Sequence, residues 1–333
     1  MDAPTISYKT KSAVLFIVFN RPDTTDRVFE QIRAAQPSRL YVAADGPRAQ
    51  KAGEDVLCER TRAITAKVDW PCEVKTLFRE SNLGCKNAVS SAIDWFFNNE
   101  EEGIILEDDC LPNPDFFRFC DAMLDKYRDD TRIRHIGGAN LQHSKQWGDA
   151  SYYYSNLTHV WGWAGWRRVW KDYDKELSHY QPADVRAKLE TIFNDRFAVD
   201  TWMEIFTKLK AGEIDTWDYQ LSFLNFVNNG LSVIPNVNLI SNIGFGANST
   251  HTSDVNNPNA NIPLQDLGEI THPADVAPQK EADYYTLNMD FNLDYRWMRY
   301  NKPKRKLKRW LQGLFKQQSH PPQPGEWLYK INS

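Results

Sequence analysis

Three adjacent carboxylates, Glu107, Asp108 and Asp109, end an apolar run in the segment GIILEDDC (103–110). Like charges this close repel one another, so the triplet calls for a positive partner. Mg²⁺ and Mn²⁺ prefer carboxylate oxygens and often link them to the phosphates of a substrate. A solvated acidic turn is the alternative, because a short acidic string alone is a weak motif. The choice between a metal site and an acidic turn depends on the strands and helices that surround the triplet.

Four apolar runs, at 13–19, 40–44, 73–78 and 103–106, alternate with segments of helical length. This alternation predicts an α/β fold with a parallel sheet covered on both faces. Ligands of such sheets bind at the carboxyl ends of the strands. The polar groups predicted on this rim are Asn20-Arg21, Asp45-Gly46, Arg79–Gly84 and Glu107–Asp109. Further along, 183–211 and 216–230 are predicted to be helical, and 252–290 irregular.

Composition excludes several classes of protein. The 333 residues carry a formal net charge of −4, whereas nucleic-acid binding needs a basic surplus. The five cysteines form no CxxC pair, which favours free thiols in a reducing compartment. The sequence shows no signal peptide and no stretch near the roughly 20 apolar residues of a membrane span. We therefore expect a cytoplasmic protein.

The segment IILEDDCLPNPDFFRFC (104–120) resembles the metal-binding segment of GT-A nucleotide-sugar glycosyltransferases. It is most similar to the N-acetylglucosaminyltransferase I-like branch, in which Glu-Asp-Asp precedes Pro-Asp-Phe-Phe. The likeness covers roughly residues 13–252. It implies a Rossmann-like GT-A fold with a mostly parallel central sheet flanked by helices. It also implies an inverting transfer from a UDP-sugar, possible donors including UDP-N-acetylglucosamine.

The resemblance implies a Mn²⁺ or Mg²⁺ site. It assigns Asp109 to the metal, and Asp108 and Glu107 to the ribose or to metal-bound water. A late histidine returns to the metal in many such enzymes, which assigns His251 in NIGFGANSTHT (242–252) to the same site. The triplet departs from a strict Asp-x-Asp, so the sequence leaves open which carboxylates bind the metal.

The resemblance also implies a nucleotide site. It places Asn20 and Arg21 near the base or diphosphate, and Asp45 against the uracil. Arg79 could meet phosphate charge, while Asn82 and Gly84 would let the backbone approach the nucleotide. Local structure offers alternatives: a helix start at Pro22, an Asp-Gly turn at 45–46, and a helix cap by Asn82.

Four tryptophans and two glycines occur in VWGWAGWRRVW (160–170). The resemblance suggests that this segment borders the donor sugar, and aromatic faces suit the apolar faces of sugars. We therefore predict that Trp161, Gly162 and Trp163 line the pocket. Tryptophans more often pack in cores, which is the role predicted for Trp166 and Trp170.

A carboxylate at the start of the helix in EIDTWDYQLSF (213–223) is the general base of the resembled family. Asp218 aligns best with that base, which takes the proton of the acceptor hydroxyl. Asp215 could instead cap the helix, and Glu213 is a further candidate base.

The tail NKPKRKLKRWLQGLFK (301–316) carries seven Lys or Arg and no acid. Helical spacing places apolar residues on one face: Leu307, Trp310, Leu311, Leu314 and Phe315. This pattern is typical of a basic amphipathic helix at a membrane surface, here an anionic one. The alternative is a helix docked on its own domain.

These inferences predict a metal-dependent glycosyltransferase acting on a glycan or lipid-linked hydroxyl. The predicted division is a catalytic domain (1–255), an irregular extension (256–300) and the basic tail (301–333). Within the catalytic domain, 1–110 would bind the nucleotide and 111–255 the acceptor. The competing hypotheses are a glycoside hydrolase with Asp109 and Asp218 as its carboxylate pair, and a binding protein without catalysis.

Overall fold

A mixed α/β fold with a large central sheet organises the part of the chain that the computed structural model describes, residues 8–246 and 257–315. Eight strands form this sheet: β1 (Ala13–Val18), β2 (Arg39–Ala44), β3 (Glu73–Phe78), β4 (Glu102–Glu107), β6 (Ile133–Gly137), β7 (Tyr152–Ser155), β8 (Trp163–Trp166) and β9 (Leu231–Pro235). Two short strands pair separately, β5 (Cys110–Pro112) and β10 (Ile240–Asn242).

The strand order is β3-β2-β1-β4-β8-β6-β9-β7. The first four strands pair in parallel, as the four apolar runs predicted. Strand β8 runs antiparallel to both β4 and β6. The predicted fold class is confirmed: the sheet is mostly parallel, Rossmann-like and flanked by helices. All six residues of β1 are buried, as in a strand covered on both faces, whereas β3 is an exposed edge strand.

The helices are α1 (Pro22–Ala35), α2 (Glu54–Thr65), α3 (Gly84–Asn99), α4 (Pro114–Lys126), α5 (Arg167–Trp170), α6 (Pro182–Ile192), α7 (Arg196–Lys210), α8 (Asp218–Val227), α9 (Lys280–Phe291), α10 (Leu293–Asn301) and α11 (Pro303–Phe315). Helix α1 shows how the sequence fixes them. Pro22 begins the helix and Asp23 lies in its first turn, where a negative charge is favourable. Val28, Phe29 and Ile32 are buried on one face. None of the described helices is long and apolar enough to cross a bilayer.

The chain divides into two compact units. Unit 1 comprises residues 1–176 and 215–279 and contains the sheet. Unit 2 comprises 177–214 and 280–333, with helices α6, α7, α9, α10 and α11. The irregular extension predicted for 256–300 is wrong from residue 280 onward, because α9 and α10 form there. The prediction rested on the polar, proline-rich first part of this segment. In the structure, Phe291 of α9 packs on Trp202 of α7, with 5.7 Å between the ring centroids.

Candidate functional site

An arginine lies against the acidic triplet. Arg21 Nη2 is 2.5 Å from Asp108 Oδ1, and Arg21 Nη1 is 2.8 Å from Asp109 Oδ2. The backbone N–H of Phe19 donates to the other Asp108 oxygen at 3.1 Å. This contact follows from the sheet: β1 and β4 are parallel neighbours, with Ile17 opposite Glu107, so the loop after β1 reaches the end of β4. Arg21 is therefore the positive partner of two of the three carboxylates.

Burial and charge act against each other in this cluster. Burial alone would lower the pKa of Arg21, but the charges of Asp108 and Asp109 raise it, so the guanidinium stays protonated. Burial raises the pKa of Asp108 to about 6, although Arg21 opposes the shift. Burial, followed by the charges of Asp109 and Asp108, raises the pKa of Glu107 to about 8. The structure describes no hydrogen-bond partner for the Glu107 carboxylate within 8–246 and 257–315. The triplet thus holds a charge that Arg21 only partly compensates.

Gly244 closes this cluster on one side. A Cβ at this position would stand 2.1 Å from Asp109 Oδ2 and 2.7 Å from Arg21 Nη1, so a side chain there would displace the ion pair. The backbone N–H of Ile243 donates to the carbonyl of Asp109 at 2.8 Å. The sequence pointed to His251 in this glycine-rich segment and gave no signal for Gly244. His251 lies outside the described residues.

The donor chemistry of the triplet fits a hard cation, because all three side chains offer carboxylate oxygens. In the structure, however, Arg21 takes one oxygen of Asp108 and one of Asp109. Among the described residues, no three His, Cys, Asp or Glu side chains are grouped to hold a metal ion. Mn²⁺ or Mg²⁺ at Asp109 would therefore compete with Arg21 for that carboxylate.

A cleft of about 600 Å³ opens beside Arg21. Its walls come from the loops after β1 and β2, the start of α2, and residues 243–246. Asn20 Nδ2 donates to Glu54 Oε1 at 2.9 Å, and Glu54 also accepts bonds from Arg48. Within the described ranges, no carboxylate pairs with Lys51 or Arg60, which line the same cleft. The lining holds four cations against the two acids Asp23 and Glu54, and this positive balance suits an anionic ligand such as a diphosphate. Arg48, Lys51, Glu54 and Arg60 were not predicted from the sequence.

Asp45 and Asn82 lie together at the ends of β2 and β3. Asn82 Nδ2 donates to Asp45 Oδ2 at 2.8 Å, and the N–H of Leu83 donates to Asp45 Oδ1 at 3.0 Å. Burial raises the pKa of Asp45, while the backbone N–H groups oppose the shift. Asn82 Oδ1 accepts from Gly84 N at 3.2 Å, and Gly84 has φ +77, which favours glycine. Arg79 turns its guanidinium to Ser91 Oγ at 2.7 Å.

Asp218 is the first residue of α8, and the hydroxyl of Thr216 donates to its carboxylate. Asp215 does not cap α8: that helix lacks a side-chain cap, and Asp215 Oδ1 accepts from Lys86 N of α3 at 3.4 Å. The carboxylates of Glu107 and Asp218 both raise the pKa of Cys85, after burial as the main cause. A Cβ at Gly84, the first residue of α3, would stand 3.2 Å from Asp215 Oδ2, so the loop before α8 lies against the start of α3.

The tryptophan segment differs from its prediction. Trp163 is 3% exposed and stacks between His135 and Trp217, so it packs in the core and does not line a pocket. Gly162 has φ +59, and a Cβ there would stand 2.4 Å from Ile240 Cδ1. Its lack of a side chain thus serves packing. Trp161 remains partly exposed, with its ring edge-on to Phe245 at 5.8 Å between centroids. Trp166 and Trp170 are buried.

Comparisons with known proteins add distant structural likenesses. No protein-family profile matches the chain, and no curated protein sequence matches it. A UDP-glucose pyrophosphorylase complexed with UDP-glucose is 9% identical, with a TM-score of 0.35 over 68% of this chain and 90% of the other. HddC from Yersinia pseudotuberculosis is 12% identical, with a TM-score of 0.32 over 49% and 80%.

The 4-diphosphocytidyl-2C-methyl-D-erythritol synthase from Anaerococcus prevotii is 8% identical, with a TM-score of 0.29 over 49% of this chain and 76% of the other. None of these three structures is described as a glycosyltransferase. Likenesses this low leave the description of the fold resting on the strand order given above.

Proposed function

We propose that the protein is a metal-dependent, inverting glycosyltransferase of GT-A type that uses a UDP-sugar. The observation that carries this proposal is the rim at the carboxyl ends of β1 and β4. There Arg21 meets Asp108 and Asp109 beside a cleft with cationic walls. The resemblance of residues 104–120 to the N-acetylglucosaminyltransferase I-like branch supports the choice of glycosyl transfer.

In this proposal the donor diphosphate lies among the cations of the cleft, and the uracil lies towards Asp45. Asp109 and His251 would hold Mn²⁺ or Mg²⁺, which would supply positive charge to the departing diphosphate. Arg21 exchanges its contact with Asp109 for the diphosphate. Because Arg21 is a permanent cation held 2.8 Å from Asp109, it is placed to make that exchange without a change in its own charge.

Asp218 acts as the base in this scheme. Its carboxylate takes the proton of the acceptor hydroxyl while the hydroxyl oxygen forms a bond to the anomeric carbon. The bond from that carbon to the diphosphate breaks on the opposite side, and its electron pair leaves with the diphosphate. Because the hydroxyl attacks from the face opposite the diphosphate, the anomeric centre is inverted. The family resemblance of residues 213–223 supports this role, and the charge of Asp218 contributes to the raised pKa of Glu107.

The remaining assignments are part of the same proposal. Residues 1–110 bind the donor and 111–255 contact the acceptor, a glycan or lipid-linked hydroxyl. The five cysteines are free thiols, which suits a cytoplasmic enzyme. Residues 301–316 bring it to an anionic membrane surface as a peripheral protein.

Thermal unfolding with UDP and Mn²⁺, added separately and together, tests the donor site. At about 100 times its dissociation constant a ligand adds roughly 2.7 kcal/mol to the free energy of unfolding. We expect the pair to stabilise the protein more than the sum of the two ligands alone. Asp109→Asn is expected to abolish this excess.

Asp218→Asn is the matched variant in the same experiment. It is expected to keep the joint stabilisation by UDP and Mn²⁺, yet to lose sugar transfer from the donor that a screen of UDP-sugars identifies. Asp215→Asn, three residues earlier, should keep both. Absence of any stabilisation by UDP, with or without Mn²⁺, would overturn the proposed donor site, and full transfer by Asp218→Asn would exclude it as the base.

A further inference from the structure

Helix α11 exposes two large apolar side chains. Leu307 and Trp310 are 57% and 62% exposed. At about 100° per residue they lie about 60° apart on the helix surface. Arg309 lies about 100° from Trp310 and about 160° from Leu307, and it makes the contact with α10. Leu307 and Trp310 are therefore not the side chains through which α11 contacts α10.

Tyr300 of α10 fixes that orientation. The guanidinium of Arg309 is 3.6 Å from the centroid of the Tyr300 ring, and that of Arg196 in α7 is 4.9 Å from it. Arg196 Nη1 also donates to the Tyr300 hydroxyl at 3.1 Å. Cation–π contacts to one ring thus connect α7, α10 and α11. The connection holds α11 through its polar side and leaves Leu307 and Trp310 in water.

Helix α10 adds a second pair of exposed apolar side chains. Tyr295 and Met298 are each 56% exposed and, three residues apart, share a face of the helix. Arg299 follows on the same face and is exposed. These side chains lie on two consecutive helices that Arg309 and Tyr300 join, which makes the pair of helices a candidate binding surface.

Charge selects the partner of this surface. Residues 302–309 contain six cations and no acid: Lys302, Lys304, Arg305, Lys306, Lys308 and Arg309. A symmetric contact between two copies would bring these cations face to face and cost free energy. An anionic bilayer instead offers charge to the cations and an apolar interior to the side chains between them.

We propose that α10 and α11 together form a surface for anionic phospholipid bilayers, into which Trp310, Leu307, Met298 and Tyr295 insert. Tyr300, held between two arginines, sets the angle of α11 for that insertion. The inference deepens the membrane contact of the proposed function and extends it to α10. It does not depend on glycosyl transfer, because all its residues lie in unit 2.

Co-sedimentation of the full chain with vesicles tests this surface. We expect the protein to bind vesicles of phosphatidylcholine with phosphatidylserine. Its binding to vesicles of phosphatidylcholine alone should be weaker by at least about tenfold. The double change Leu307→Ser with Trp310→Ser should weaken binding to the phosphatidylserine vesicles at least about tenfold. Tyr295→Ser with Met298→Ser should weaken it as well, which separates the two-helix surface from the tail alone.

Val56→Ser is the matched control, since Val56 is 54% exposed on α2 of unit 1. It should bind vesicles as the unchanged protein does. All variants should keep their joint stabilisation by UDP and Mn²⁺, so a failure here is distinct from a failure of the donor site. Three outcomes would overturn the proposal. The first is equal binding to both vesicle types, and the second is full binding by the Leu307→Ser, Trp310→Ser variant. The third is a change of sedimentation coefficient in that variant without vesicles, which would indicate contact between copies of the chain.

Discussion

At the scale of single residues, Arg21 stabilises the three adjacent carboxylates at the end of a buried strand, because it forms ion pairs with two of them. Its terminal nitrogens Nη2 and Nη1 contact Asp108 and Asp109, whose side chains are 3% and 12% exposed. A buried carboxylate that loses its partner costs several kcal/mol, so this arginine is part of the folded structure as well as of the candidate site. The same geometry makes Arg21 the competitor of any metal at Asp109.

Replacing Arg21 by Ala is expected to lower the free energy of unfolding by about 3 kcal/mol, because two buried charges lose their counterion. Mn²⁺ should restore part of this loss and should stabilise the variant more than it stabilises the unchanged protein, since the metal no longer competes with the guanidinium. Thermal unfolding with and without Mn²⁺ measures both effects.

Arg48→Ala is the control for this change. Arg48 lines the same cleft and pairs with Glu54, whose side chain is 4% exposed, but it does not touch the triplet. Its loss should destabilise the protein without any added response to Mn²⁺. Equal Mn²⁺ responses in the Arg21 and Arg48 variants would show that the metal does not bind where Arg21 lies.

The sequence pointed to Arg21 and to the triplet separately, and the resemblance assigned both to a donor site. Their contact could not be read from the sequence, because 87 positions separate Arg21 from Asp108 and only the pairing of β1 with β4 brings them together. Gly244 was missed for a similar reason. Glycine is required at this position because a Cβ would clash with Asp109, which is distant in the chain.

At the scale of elements, the four strands in the apolar runs were predictable, whereas β8 was not. Strands β1 to β4 begin and end within one residue of the predicted runs. Strand β8 was missed because its four residues lie in a segment of tryptophans and glycines without the alternation of apolar and polar residues that indicates a strand. Its insertion between β4 and β6 buries Trp163, which overturned the prediction that this residue lines a pocket.

His135 in β6 makes this core sensitive to pH. It is fully buried, stacks on Trp163 at 5.4 Å, and neither ring nitrogen has a hydrogen-bond partner among the described residues. Burial, aided by His159, lowers its pKa from 6.5 to about 3. The unfolded chain therefore takes up the proton first. The stability that comes from a neutral His135 is complete above the unfolded pKa and is lost as the pH falls towards the folded one.

Titration of His135 is expected to lower the free energy of unfolding by about 2 kcal/mol between pH 7 and pH 5. His135→Phe keeps an aromatic ring beside Trp163 and removes the titrating group, so its stability should fall less over the same interval. Urea unfolding of both proteins at several pH values measures the difference. Parallel pH profiles would show that His135 is protonated in the folded protein or that water reaches it.

At the scale of the whole molecule, the two proposed activities belong to different units. Every described residue of the proposed donor site lies in unit 1, including Arg21, Asp109 and Asp218. The exposed apolar side chains of α10 and α11 lie in unit 2, which has its own buried contacts, such as Trp202 with Phe206. Each unit can therefore be tested for its ligand within the intact chain.

Amide hydrogen exchange of the full chain should show this division directly. Bound ligands slow exchange where they order or cover the backbone. UDP with Mn²⁺ should slow it in unit 1, around residues 19–24 and 243–246, and leave α10 and α11 unchanged. Vesicles containing phosphatidylserine should do the reverse. If vesicles slowed exchange around 19–24 as strongly as in α11, the bilayer would contact the donor rim, and the assignment of the two ligands to separate units would be wrong.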